Sequence, residues 1–139
     1  MKYVGLDLGS RTLGIAISDE LGMLARACET YRFAEDDYDS ASKYIVDFCN
    51  KEKVKKIVLG LPKHMNGDEG IRANISHEFA AKIKALSDID VILVDERLTT
   101  VMVDRAMLSG NMSRKNRKDK KDEMAAVVIL QNYLDRQRF

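Results

Sequence analysis

Proline, tryptophan, histidine and cysteine are almost missing from these 139 residues: one proline, no tryptophan, two histidines and two cysteines. Each shortage excludes something. Cys28 and Cys49 stand at no metal-ligand or redox spacing, so both read as reduced, half-buried residues of a cytoplasmic protein. His64 and His77 have no partner at catalytic spacing and read as surface residues. Pro62 is the single proline, and neither an internal repeat nor a linker is visible. No run approaches the roughly eighteen apolar residues of a membrane span, and no signal peptide is expected before the first apolar strand. With 45% hydrophobic and 32% charged residues, the composition is that of one ordinary globular domain over residues 1–139.

What is present begins with Gly5 to Ala16, which reads as two apolar strands joined by a turn at Gly9 to Thr12. Alternation puts Val4, Leu6 and Leu8 on one face and Gly5, Asp7 and Gly9 on the other. The second run repeats this, with Leu13, Ile15 and Ile17 opposed to Gly14, Ala16 and Ser18. One face is greasy, and the other is stripped of bulk and carries Asp7. A carboxylate in an apolar central strand needs a cation or hydrogen bonds to compensate it. The flanking glycines read as room for a ligand. The alternative is that Asp7 bonds the hairpin's own turn amides.

Further along, Leu21 to Phe33 predicts a third strand, with Gly22 in the turn before it. Residues 35–37 open a helix with the stripe Tyr38, Ala41, Ile45, Phe48 and Cys49. Ile57 to Leu59 is a short buried strand stopped by Gly60-Leu61-Pro62, and residues 63–70 form a loop. A second helix carries Ile71, Ile75, Phe79, Ile83 and Leu86 along one side. Val91 to Val94 is another short strand. Thr99 caps a third helix that runs to Gly110. A last helix spans about Asp122 to Asp135, with Ala126, Ile129, Leu130, Tyr133 and Leu134 inward. The order predicts an α/β fold. Its mixed five-stranded sheet has three antiparallel strands, then two parallel ones, flanked by helices.

Charge is unevenly placed. Residues 114–121 hold six basic residues and one acid, a local +5 in a chain whose total is +1. That pattern suits a polyanion held at one place, or else a solvated loop. Acids stand where regular structure starts or stops: Asp7, Asp95 and Glu96 after the last strand, and Asp122 at the last helix. Asp122 shares the stripe of Ala126, Ile129 and Tyr133, although a plain helix cap would also account for it, and Glu96 could simply pair with Arg97. Together Asp7, Glu96 and Asp122 make a site for one or two Mg²⁺ or Mn²⁺ ions, which take oxygen ligands. Such sites hydrolyse phosphodiesters without a protein nucleophile.

The segments DLGSRTLGIAISD (7–19), GLPKHMNGDEGIRA (60–73), VDERLTT (94–100) and KKDEMAAVVILQNYL (120–134) resemble those of the YqgF family, also called RuvX, nearly end to end. Its members are ribonuclease H-like proteins, described as Holliday junction resolvases and as nucleases for the 5′ end of pre-16S rRNA. The resemblance implies a ribonuclease H-like fold, catalytic and metal-binding roles for Asp7, Glu96 and Asp122, and a cytoplasmic enzyme of ribosome biogenesis. Thr12 departs from the family, which often has a basic residue there. Gly60 stands where the related RuvC resolvases carry an acid. The second metal ligand is therefore Asp95 or Glu96, with Glu96 preferred for its reach and its match to the family.

Arg11, Lys63, Arg72, Arg97, Arg114, Lys115, Arg117 and Lys118 are expected to line the approach to the carboxylates and contact phosphates. The 114–121 segment is expected to become ordered on substrate. Aromatic residues make up only 6% of the chain, and no recognition-helix pattern is present, so shape-based or single-strand binding is expected. The expected partner is structured RNA, with branched DNA as the alternative, and the expected state is a monomer or homodimer with no membrane contact. A resolvase should be a two-fold dimer, and no extra dimerisation element is evident. A non-catalytic RNA-binding assembly factor is the alternative of another class. The D-x-G hairpin also resembles that of actin-like and sugar-kinase folds, which need two such domains.

Overall fold

Strict alternation makes the first hairpin. β1 (Tyr3–Leu8) pairs antiparallel with β2 (Thr12–Ser18), and β2 with β3 (Ala25–Arg32). On its other side β1 pairs parallel with β4 (Lys56–Leu61), which pairs parallel with β5 (Asp90–Asp95). The computed structural model describes residues 1–61, 70–95 and 114–138; for Arg72, residues 114–122 and Arg138 it describes the backbone alone. The sheet order β3-β2-β1-β4-β5 is the mixed five-stranded arrangement expected. The expected helix from Thr99 to Gly110 lies outside the described residues.

Each face of the sheet has its own core. Val4, Leu6, Leu8, Leu13, Ile15, Ile17, Ile57 and Leu59 pack on one side beneath α1 (Tyr38–Glu52) and α2 (Ile71–Leu86). Ala16 and Val58 pack on the other beneath α3 (Arg114–Arg138), which contributes Ala126, Ile129, Leu130 and Leu134. The expected inward stripe of the last helix is thus present, with Tyr133 partly buried.

Local chemistry moves several boundaries. β3 starts at Ala25 rather than Leu21, because the Asp19 carboxylate accepts from the Met23 and Leu24 N–H groups (2.8 and 3.3 Å) and Gly22 takes φ +68°. That turn leaves Leu21 78% exposed, and the Met23 N–H above all holds the Asp19 carboxyl below its ordinary range. α1 starts at Tyr38, capped by Asp37, which accepts from the Ser40 N–H at 3.2 Å. On α2 the buried row is Ala73, Ser76, Phe79, Ala80 and Ile83, whereas Ile71 and Leu86 at its ends are exposed. α3 begins at Arg114, eight residues before the expected start, so the basic run is the first part of that helix.

The cysteines divide more sharply than expected: Cys28 is exposed on β3 and Cys49 is buried on the inner face of α1. Burial pushes the Cys49 thiol from 9.0 up to about 12. A native-state maleimide titration at neutral pH should therefore label Cys28 alone, with Cys49 reacting only on unfolding. Because the folded value is raised, the stabilisation is complete below pH ~9 and declines as pH rises towards ~12. Denaturant midpoints should show a smaller alkaline loss in Cys49→Ala than in the native chain, the remainder coming from Tyr44, whose hydroxyl burial and the neighbouring Glu29 push from 10.0 up to about 12.

Gly5 lies close against α3. A Cβ there would stand 2.6 Å from Leu130 Cβ and 2.8 Å from the Ala126 carbonyl oxygen. Gly5→Ala should lower stability by ~1–3 kcal/mol, the usual cost of overpacking, as read by denaturant unfolding.

Candidate active site

Because β1, β4 and β5 are parallel, their C-terminal ends lie at one end of the sheet. In open α/β sheets ligands collect beyond such ends. Asp7, the penultimate residue of β1, stands there partly exposed, paired with Gly14 across the hairpin. It alternates with Leu6, which belongs to the α1/α2 core, and so shares the α3 face with Gly5. The space at Gly5, expected for a ligand, is filled by α3.

The direction of α3 follows from two contacts. The rings of Tyr3 and Tyr133 pack with centroids 5.9 Å apart. Two residues further along β1, Gly5 meets Leu130 and Ala126. Moving towards the C-terminus of β1 thus means moving towards the N-terminus of α3. Asp122 is one helical turn before Ala126 in the same row, which puts its backbone at Asp7's end of the sheet.

A residue absent from the expected set holds this register. Gln131 lies on α3, where its amide oxygen accepts from the Ala25 N–H (2.8 Å) and its amide nitrogen donates to the Met23 carbonyl (2.9 Å). It thereby ties the helix to the β2–β3 turn. The only sequence signal is a glutamine beside the apolar stripe of Ala126, Leu130 and Leu134.

Asp95 falls elsewhere. It pairs with Leu61, and the Leu59–Leu93 pair before it has its side chains in the α1/α2 core. The Leu61–Asp95 pair is two residues on and returns to that face. Asp95 is thus on the face opposite Asp7. Glu96, Arg97 and Lys63 lie outside the described residues. Among the described residues no three His, Cys, Asp or Glu side chains converge as a metal group.

Arg11 occupies the β1–β2 turn at the same end. Its carbonyl accepts from the Phe33 N–H (2.9 Å), and the Ser10 carbonyl accepts from the Asp36 N–H (2.8 Å), so the backbone is fixed. Its guanidinium pairs with Glu35 at 3.1 Å, both side chains being about two-thirds exposed (68% and 61%). Such an exposed pair is weak and leaves the cation accessible to a phosphate. Arg72 is the second residue of α2, which starts beyond the C-terminal end of β4. Arg114, Lys115, Arg117 and Lys118 are in the first turns of α3. The backbone therefore brings Asp7, Asp122, Arg11, Arg72 and the basic run to one end of the sheet. Carboxylates at that end offer hard oxygen donors, which match Mg²⁺ or Mn²⁺.

Solved structures of similar architecture include Thermus thermophilus RuvC in complex with a Holliday junction substrate. It has TM-score 0.67 at 11% identity, covering 99% of this chain and 95% of that one. The fowlpox virus resolvase in complex with Holliday junction DNA has TM-score 0.60 at 13% identity, covering 99% of each. These likenesses establish a resolvase-type, ribonuclease H-like fold. Sequence relatives are much nearer. A protein of Oceanobacillus iheyensis named "Putative pre-16S rRNA nuclease" is 45% identical over 135 residues, covering 97% of this chain and 98% of the relative. One of Bacillus cereus with the same name is 44% identical over 136 residues, covering 98% and 99%. The family described as "RuvX: Holliday junction resolvase" matches residues 1–136, and the chain belongs to that family.

Proposed function

We propose that this chain is a metal-dependent endonuclease that hydrolyses phosphodiester bonds of structured RNA, trimming the 5′ end of pre-16S rRNA in the cytoplasm. The observation that carries the reading is the antiparallel lie of α3 on β1. It puts the backbone of Asp122 at the end of the sheet where Asp7 stands, together with Arg11 and the basic turns. The names of the sequence relatives support the RNA substrate.

In this reading Asp7, Glu96 and Asp122 hold one or two Mg²⁺ or Mn²⁺ ions. A divalent ion held by these carboxylates would lower the pKa of a bound water and offset charge on the departing 3′ oxygen. Asp7 contributes a carboxylate carried on a central strand, whose pairing with Gly14 holds its backbone in place. Arg11, Lys63, Arg72, Arg97 and the α3 cluster neutralise neighbouring phosphates and orient the strand. Glu96 is preferred to Asp95 because Asp95 lies on the other face of the sheet.

A second reading keeps the chemistry and takes a four-way DNA junction, for which the family's description speaks. It requires a two-fold dimer to cut both strands.

The deciding assay offers the full chain a 16S precursor fragment and a synthetic four-way junction, with Mg²⁺ or Mn²⁺. Cleavage of the RNA is expected, abolished by EDTA and restored by either ion. Asp7→Asn should reduce it ~100-fold or more, the usual scale for losing one transition-state stabiliser, with an unchanged unfolding midpoint as control. Cleavage of the junction alone would replace the RNA reading by the second one. RNA binding without cleavage, unaffected by Asp7→Asn, would make the protein an assembly factor instead.

The ligand choice has its own test. Glu96→Gln should lose activity to the same degree as Asp7→Asn, while Asp95→Asn should stay within about threefold of the native rate. The reverse pattern would shift the ligand to Asp95.

A further inference from the structure

Arg11 stands at Asp7's end of the sheet with an anion already on it. Its guanidinium meets the Glu35 carboxylate at 3.1 Å, and both groups are open to solvent. The backbone prepares this meeting. The Phe33 N–H donates to the Arg11 carbonyl and the Asp36 N–H to the Ser10 carbonyl, so the loop is stitched to the turn on both sides of Glu35. The turn itself is closed by the Gly9 N–H on the Thr12 carbonyl at 2.8 Å. Behind the stitch, the Phe33 ring lies 6.0 Å from those of Tyr31 and Tyr38, and all three pack against the α1/α2 core. Asp36 takes φ +61°, a left-handed conformation in which aspartate is enriched among non-glycine residues. Glu35 is therefore held at a set place beside Arg11, and side-chain torsions alone part the two.

The neighbouring acids have other tasks. Asp36 accepts from the Tyr38 hydroxyl at 3.1 Å. Asp37 accepts from the Ser40 N–H and hydroxyl at 3.2 and 2.7 Å, and so caps α1. Both serve the start of the helix, whereas Glu35 is spent on the cation. A carboxylate and a phosphate take the same charge-assisted bonds from a guanidinium. At short range Glu35 also cancels the charge that would draw a phosphate to Arg11.

We infer that Glu35 stands in for a substrate phosphate on Arg11: it keeps the guanidinium neutralised in the free protein and gives way to a phosphate when a strand binds. Glu35 is then a positioning residue that acts through Arg11 and lowers the affinity for nucleic acid. This rests on the proposed nucleic-acid substrate, but it concerns binding and is testable apart from cleavage.

The test uses the full chain carrying Asp7→Asn, so that nothing is cut, and a fluorescent single-stranded RNA followed by anisotropy over a salt titration. Glu35→Gln should tighten binding ~2–5-fold at low salt, the scale of an exposed ion pair. It should also steepen the log–log salt slope by up to ~0.7, the value for one phosphate of a single strand. In the native sequence the freed carboxylate takes up a cation as the phosphate sheds one, and the glutamine removes that uptake. With Arg11→Gln already present, Glu35→Gln should change neither affinity nor slope. Glu35→Asp, which keeps a carboxylate on a shorter side chain, should stay nearer the native values than Glu35→Gln. Unfolding midpoints check that each variant is folded. Equal tightening with and without Arg11 would make Glu35 a source of general repulsion, and no tightening in either background would mean that it withholds nothing from the strand. Either result would overturn the inference. Absence of cleavage by the native chain would instead overturn the nuclease reading and leave this result standing.

Discussion

A missing methyl group at residue 5 governs where everything else on the α3 side can go. The helix backbone lies so close over β1 that the Ala126 carbonyl would be 2.8 Å from any Cβ there. Contact this close lets the small residues Ala16 and Ala126 pack in one layer with the larger Val58, Ile129 and Leu130. It also fixes the helix in the two ways that matter for chemistry, its distance from the sheet and its direction. Gln131 then fixes the third, its position along its own axis, through the β2–β3 turn.

The two faces of the sheet differ in kind. The α1/α2 side has the large aliphatic core, from Leu6 and Ile15 to Phe79 and Ile83. Its two helices are further joined by Lys82 and Asp39 at 2.7 Å, a contact that holds the Asp39 carboxyl below its ordinary range. The α3 side has the thinner layer and the carboxylate of Asp7. The main core and the Asp7 carboxylate are thus separated by the sheet, and a strand end can carry a polar group without opening that core.

Alternation makes the hairpin and its two faces legible in the sequence, because a period of two is insensitive to what packs on it. The parallel strands are legible for a different reason, as short unbroken apolar runs (Ile57 to Leu59, Val91 to Val94) separated by helices. Boundaries are not, wherever apolar residues sit in turns. Leu21 and Leu24 look like strand until the Asp19 carboxylate and Gly22 bend the backbone there. Ile71 and Leu86 extend a plausible stripe that the real packing of α2 leaves behind. At Gly5 a bare position accommodates a ligand or a helix equally well, and only the distant Ala126 and Leu130 decide for the helix. Reach alone leaves Asp95 open beside Glu96, because reach says nothing of face. The register against Leu61 supplies the face.

The contact between Gly5 and Leu130 joins the first strand to the last helix, so it spans almost the whole order of synthesis. All five strands are translated before α3. A growing chain can therefore assemble its sheet and its α1/α2 core while the Asp7 face is still bare and the helix that carries Asp122 does not yet exist. Loop closure over that length comes late in folding. An incomplete chain, paused or truncated before residue 122, leaves the Asp7 face of the sheet uncovered, and α3 is the element that closes it.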